Sequence, residues 1–196
     1  MEIMKEAIDA ILDNIKNAEE YLDEKEVENF IDVIVNAKNI FVIGAGRSGL
    51  AAKAFAMRLM HLGISSYVVG ETTTPAINAG DCLIAISGSG ETNTIVSAVN
   101  IAKNRGSSVL ALTSYPESTL GKLCDAYIFV KGRTKAEADD KNYMKRQIHG
   151  NYTSLTPLGT AFELTTLVFL DGLVAELMEV MEQTESDLKA RHTVLE

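Results

Sequence analysis

Basic residues are in short supply in this chain: 18 Lys and Arg stand against 27 Asp and Glu in 196 residues, a formal charge of -9. That balance argues against a nucleic-acid or anionic-membrane surface, because repulsion opposes both. No appended DNA-binding helix pair or basic segment is expected. Cysteine is nearly absent too. Cys82 and Cys124 are the only two; they have no metal-ligand spacing and form no disulfide framework. Each adjoins an apolar run, so both read as small buried residues. Met1 to Leu12 alternates charged with apolar residues and lacks a signal-peptide core. The most apolar stretch, Leu158 to Met181, is interrupted by Glu163, Asp171, Glu176 and Glu179, and reads as a core helix rather than a membrane span. A cytoplasmic protein is expected, with no metal, no redox cofactor, no nucleic-acid partner and no membrane. The shortage of positive charge also means that an anionic ligand would have to be met largely by backbone N–H groups.

What is present is a regular pattern. The length suits a single domain over 1–196. Ile3, Ile8, Ile11, Leu12, Ile15 and Leu22 recur at helical spacing, and Val27, Phe30, Ile31, Ile34 and Val35 resume it after a charged break at Asp23 to Glu26. Residues 1–36 are thus a helical arm. From Asn39 onward, five short apolar runs appear: Ile40–Ile43, Ser66–Val69, Cys82–Ile86, Val109–Leu112 and Tyr127–Val130. Helical patterns at Ser48–Leu62 and Thr92–Asn104 lie between some of them. Strands without polar alternation suit a parallel sheet covered on both faces, so residues 39–130 read as the sheet core of an α/β protein, a three-layer αβα sandwich of flavodoxin/Rossmann-like type. Lys131 to Asn151 is charged and has no apolar period; it reads as a solvated connection, with Lys135, Lys141, Lys145 and Arg146 available to an anion if it covers a site. Helices are expected again over 157–191.

Two glycine turns carry the chemistry. Gly44-Ala45-Gly46-Arg47-Ser48-Gly49 follows the first strand and opens a helix. With Glu71 after the next strand, it fits a dinucleotide site. Tight strand-to-helix turns need glycine whatever they bind, so the pattern alone is weak. The second turn, Ser87-Gly88-Ser89-Gly90-Glu91-Thr92, also follows a buried strand and opens a helix. Serines often merely cap helices. Here three hydroxyls accompany two glycines and a helix N-terminus, a combination suited to a single phosphate monoester.

The pair GAGRSG and SGSGET resembles the sugar isomerase (SIS) family. Further stretches are similar to its 6-phospho-3-hexuloisomerases: Ala56-Met57-Arg58-Leu59-Met60-His61-Leu62-Gly63, Val69-Gly70-Glu71-Thr72-Thr73-Thr74-Pro75, Thr156-Pro157-Leu158-Gly159-Thr160-Ala161-Phe162-Glu163 and Arg191-His192-Thr193-Val194-Leu195. The resemblance runs from about Asn39 to the C-terminus. It implies the SIS fold and interconversion of D-arabino-3-hexulose 6-phosphate with D-fructose 6-phosphate through a cis-enediol. It also implies a homotetramer with sites near subunit boundaries, functionally linked to 3-hexulose-6-phosphate synthase.

Moving a carbonyl between adjacent carbons needs a base, an electrophile for the developing oxyanion and a phosphate anchor, but no electron acceptor. Glu163 is the expected base, and a carboxylate there is expected among apolar groups, which favours proton transfer near neutral pH. The same glutamate would also suit the positive end of its helix. His61 is the expected second catalytic group, with His192, beside Arg191, arriving from a neighbouring subunit. Arg47, Ser48, Ser87, Gly88, Ser89 and Thr92 are assigned to the substrate and its phosphate. Competing readings are a sugar-phosphate-binding regulatory module, a sister isomerase acting on another phosphosugar, and a dinucleotide oxidoreductase.

Overall fold

The five apolar runs form one parallel sheet in this computed structural model, which describes residues 1–132 and 159–194. Most of the charged connection therefore lies outside the described residues, as do Lys135, Lys141, Lys145, Arg146, Thr156, Pro157 and Leu158.

The strands are β1 (Ile40–Gly44), β2 (Ser66–Val68), β3 (Cys82–Ile86), β4 (Ser108–Thr113) and β5 (Ala126–Phe129). Their order is β2-β1-β3-β4-β5, every pair parallel. Among the described residues the α-helices are α1 (Glu2–Ala18), α2 (Glu24–Asn36), α3 (Arg47–His61), α4 (Asn93–Asn104), α5 (Thr119–Leu123), α6 (Thr160–Val180) and α7 (Glu185–Ala190). The charged break in the arm has a physical role. The Asp23 carboxylate accepts from the N–H groups of Lys25 and Glu26, capping α2.

Successive strand residues point to opposite faces, so one sequence feeds two cores. Ile40, Val42, Cys82, Ile84, Leu110, Leu112 and Ile128 pack with residues of α2, α3 and α6. Phe41, Ile43, Leu83, Ala85, Val109 and Ala111 pack with Ile95, Val99 and Ala102 of α4 and Leu120 of α5. This is the expected three-layer α/β sandwich, with the arm folded back onto it. Asn14 of α1 donates from Nδ2 to Thr165 Oγ1 of α6 at 2.9 Å. Among the described residues no helix is long and apolar enough to cross a membrane.

The two cysteines differ. Cys82 is buried and free, its thiol pushed up to about 12 by burial. Cys124, expected to be buried, is only partly so because it ends the short α5 at the sheet's margin; its thiol is pushed up to about 11, again mainly by burial.

Candidate active site

In an open parallel sheet, ligands bind beyond the carboxyl ends of the strands, where the chain changes direction along the sheet. In the order 2-1-3-4-5 that place lies between β1 and β3. Both glycine turns follow these two strands, so the fold sets them side by side at the crevice.

The first turn is tightly interlocked. A Cβ on Gly44 would lie 2.6 Å from the Ser48 carbonyl group, and one on Gly49 would lie 2.8 Å from the Gly44 oxygen. These two glycines are required by the close approach of strand and helix, whatever the turn binds. The turn delivers Ser48, buried in the first helical turn, and Arg47, which is exposed. Glu71, the other part of the dinucleotide pattern, pairs with Lys53 at 3.2 Å on the solvent side of α3, both side chains half exposed.

The second turn is built differently. The Ser87 Oγ accepts from the Gly90 N–H at 3.2 Å and lies 3.4 Å from Thr92 Oγ1. The Ser89 Oγ accepts from the Glu91 N–H at 3.3 Å. The Gly88 carbonyl accepts from the Ser114 N–H, which turns that peptide toward the neighbouring loop. Among the described residues nothing accepts from the N–H groups of Gly88 and Ser89. Thr92 is the N-cap of α4 yet makes no side-chain capping bond, so its hydroxyl is available beside the helix N-terminus. Gly90 has φ 65°, and a Cβ there would meet Ser118 Oγ at 1.9 Å. The edge thus offers hydroxyls, unpaired N–H groups and two helix N-termini, a set that favours an anion without a basic patch.

Sequence reasoning missed the buttress of this turn. Both carboxylate oxygens of Glu91 accept from Thr119, one from its N–H and one from its hydroxyl, each at 2.8 Å. These hydrogen bonds, backbone first, hold the Glu91 carboxyl below its usual range. The acid in SGSGET therefore caps α5. Glu91 and Thr119 stand 28 residues apart, so local patterning carries no signal for the pairing.

Glu163 reaches the same edge from α6. Its Oε2 lies 3.2 Å from Arg47 Nε, its side chain 15% exposed. Its carboxylate folds back over Gly159, where a Cβ would come within 3.0 Å of both oxygens. The expectation of apolar surroundings needs correction: among the described residues the carboxylate is paired with a guanidinium that α3 presents to the start of α6. A second pair, Arg58 Nε to Asp171 Oδ1 at 3.3 Å, ties the same two helices further along.

His61 does not join this group within one chain. It ends α3, 14 residues after Arg47, which at 1.5 Å per residue places it roughly 21 Å away, toward the amino ends of the strands. The expectation of Glu163 and His61 acting together on one substrate is therefore not met inside a single chain. His61 is 3% exposed and stacks on His192, ring centroids 5.0 Å apart and planes 21° apart. Burial, then His192 and Arg58, push the His61 imidazole below its ordinary value.

Among the described residues no three His, Cys, Asp or Glu side chains are grouped to hold a metal ion. A cavity of about 320 Å3, lined by Ile15, Leu22, Phe129, Val168 and Phe169 among others, opens between the arm and α6 and contains none of the candidate residues.

Fold and site together define an α/β protein with an anion-suited crevice at its sheet switch point, and the comparisons with known proteins give that class a family. The SIS domain model matches residues 33–141, and the chain belongs to the SIS domain family. A Bacillus subtilis protein named 3-hexulose-6-phosphate isomerase is 38% identical, over 97% of this chain and 98% of that one. An uncharacterised Methanothermobacter thermautotrophicus protein is 46% identical, over 100% of this chain and 98% of its own. The crystal structure of a Methanococcus jannaschii protein, described as inferring a function of 3-hexulose-6-phosphate isomerase, is similar with TM-score 0.77 at 34% identity, covering 100% of both chains.

Proposed function

We propose that this chain is a sugar-phosphate isomerase that interconverts D-arabino-3-hexulose 6-phosphate and D-fructose 6-phosphate. The observation that carries the reading is the juxtaposition at the crevice: a hydroxyl-rich turn with free N–H groups after β3, and a carboxylate–guanidinium pair, Glu163 with Arg47, beside the turn after β1. The named relatives at 38% and 37% identity over nearly the whole chain support the particular reaction.

In this reading Ser87, Ser89, Thr92, Ser48 and the Gly88 N–H hold the phosphate. Glu163 takes the proton from C2 of the 3-ketose, the electron pair forms the C2–C3 double bond of a cis-enediol, and the proton returns to C3. Meanwhile the O2 hydroxyl proton must leave and O3 must gain one, so a second acid–base group serves the oxygens. Arg47 stands where negative charge develops on them. No electrons leave the sugar, and the atoms balance without a redox partner.

His61 and His192 fit the second role if they come from an adjoining subunit. The exposed apolar residues Leu50, Met57 and Met60 on α3 and Val168 on α6 support such an association. We propose a cytoplasmic homotetramer, a single domain per chain, taking its substrate from 3-hexulose-6-phosphate synthase.

The test is exchange in heavy water with fructose 6-phosphate and a chelator. Deuterium at C3, with a 3-ketose signal appearing in the carbon spectrum, is expected. Deuterium at C1 instead would mark a sister aldose isomerase. Phosphosugar binding with no exchange would leave only a regulatory module and end the catalytic reading.

A further inference from the structure

The end of α7 makes an arrangement that the reaction scheme does not yet use. The helix is firmly started: the Asp187 carboxylate accepts from the Thr184 N–H at 2.8 Å, and the Thr184 hydroxyl accepts from the Asp187 N–H. One turn later the chain reaches Arg191. Its Nη1 donates to the His61 carbonyl at 3.0 Å, to Gln183 Oε1 at 3.0 Å and, more weakly, to the Asp187 carbonyl at 3.5 Å. The His61 carbonyl is one of the last of α3, a group that the helix itself leaves unpaired and whose dipole end attracts a cation. The guanidinium lies against Gly63, where a Cβ would be only 3.2 Å from Arg191 Cζ. The next residue, His192, is the one that stacks on His61.

These contacts converge on one side chain. We propose that Arg191 is the positioning residue of the histidine pair: by hooking the chain end onto the last turn of α3, it sets the His192 ring on His61 and presents the two imidazoles as a unit to the sugar oxygens. The proposal rests on the reading that His61 and His192 serve the isomerase, and it adds the residue that holds them. Among the described residues the groups facing His61 are few. Arg58 comes from its own helix and is paired with Asp171 of α6; Arg191 and His192 come from the chain end. All three hydrogen bonds leave one nitrogen, Nη1, while the guanidinium plane covers Gly63; a lysine ammonium can reach some of these acceptors but does not reproduce that planar packing.

The experiment uses the full chain and its three histidines, His61, His149 and His192, each assigned by a His→Gln variant. Imidazole carbon–proton resonances are titrated in wild type, Arg191→Ala and Arg191→Lys, alongside kcat, KM and their pH profiles. Arg191→Ala is expected to abolish the ring-current shift between His61 and His192 and to raise the His61 titration midpoint. It should also lower kcat roughly tenfold with KM changed less than about twofold, the pattern of lost transition-state positioning. Arg191→Lys should recover only part of the turnover. It also stands in if the alanine variant melts early.

Unchanged histidine titration in both variants, or an altered titration with wild-type kcat and pH profile, overturns the proposal. Wild-type turnover in His61→Gln is a different failure. It removes the histidines from the reaction and sinks that part of the functional reading, even where the titration shows that Arg191 sets the pair.

Discussion

The two ends of α3 solve opposite electrostatic problems. At its start, Arg47 stands half exposed at the positive end of a helix dipole, an unfavourable place for a cation, and is met there by Glu163. At its end, where the dipole favours a cation, the helix instead buries an imidazole held toward neutrality, while Arg191 takes a carbonyl that the helix itself leaves unpaired. A cation against the dipole is tolerated where an anionic partner or ligand is at hand. The contrast suggests that the first end is arranged to receive negative charge and the second to move protons.

The sharpest way to break the comparison is to remove the acid at the first end. Glu163→Gln keeps the shape and a hydrogen bond to Arg47 but cannot accept a proton from carbon. It should lower kcat roughly 100- to 10,000-fold, the usual range for losing a general base. Binding of fructose 6-phosphate, followed by calorimetry, should stay within about threefold of wild type. Wild-type turnover would return Glu163 to a simple partner of Arg47 and the α6 dipole.

A smaller effect separates anchor from chemistry. Ser89→Ala combined with Thr92→Ala removes two hydroxyls, and with them their contacts to Glu91 N–H and Ser87, while leaving the Gly90-to-Ser87 hydrogen bond that shapes the turn. Hydrogen bonds to a charged group are worth about 1.5–3 kcal/mol each, so KM should rise at least tenfold with kcat much less affected. Steady-state kinetics with and without the two hydroxyls checks this. An unchanged KM would place the phosphate away from the second turn.

How much of this is legible in the amino-acid sequence is a matter of distance along the chain. The strands were legible because buried parallel strands are written as short, unbroken apolar runs; Cys82–Ile86 is the clearest case. The turns were legible because the close packing of Gly44 against Ser48 and the left-handed Gly90 leave a mark within six residues. Glu163 could be named from a local resemblance, but its partner could not, since Arg47 lies 116 residues earlier. Periodicity reports which face of a helix is buried, not which end meets which loop. For the same reason family likeness groups His61 with Glu163, although α3 carries it to the amino ends of the strands. The Glu91 buttress and the Arg191 hook are likewise contacts between segments that share no pattern.

The least dramatic prediction concerns the second end of α3 and uses acid rather than mutation alone. The buried His61 imidazole is pushed below its ordinary value of 6.5, first by burial and then by His192 and Arg58. In the unfolded chain it gains its proton near that ordinary value, whereas in the folded chain it does so only at lower pH. Between those two points the unfolded state holds more protons, so stability rises with pH across this window and falls as pH drops through it. Above the unfolded value the contribution is complete, and below the folded value this group causes no further loss. One proton limits the slope to about 1.4 kcal/mol per pH unit. Urea unfolding at steps between pH 8 and 5.5 should show that decline, and His61→Gln should flatten it whatever the variant does to stability at pH 8. An identical slope in the variant would mean that the imidazole end of α3 is as open to protons folded as unfolded, and the contrast between the two ends would lose its electrostatic basis.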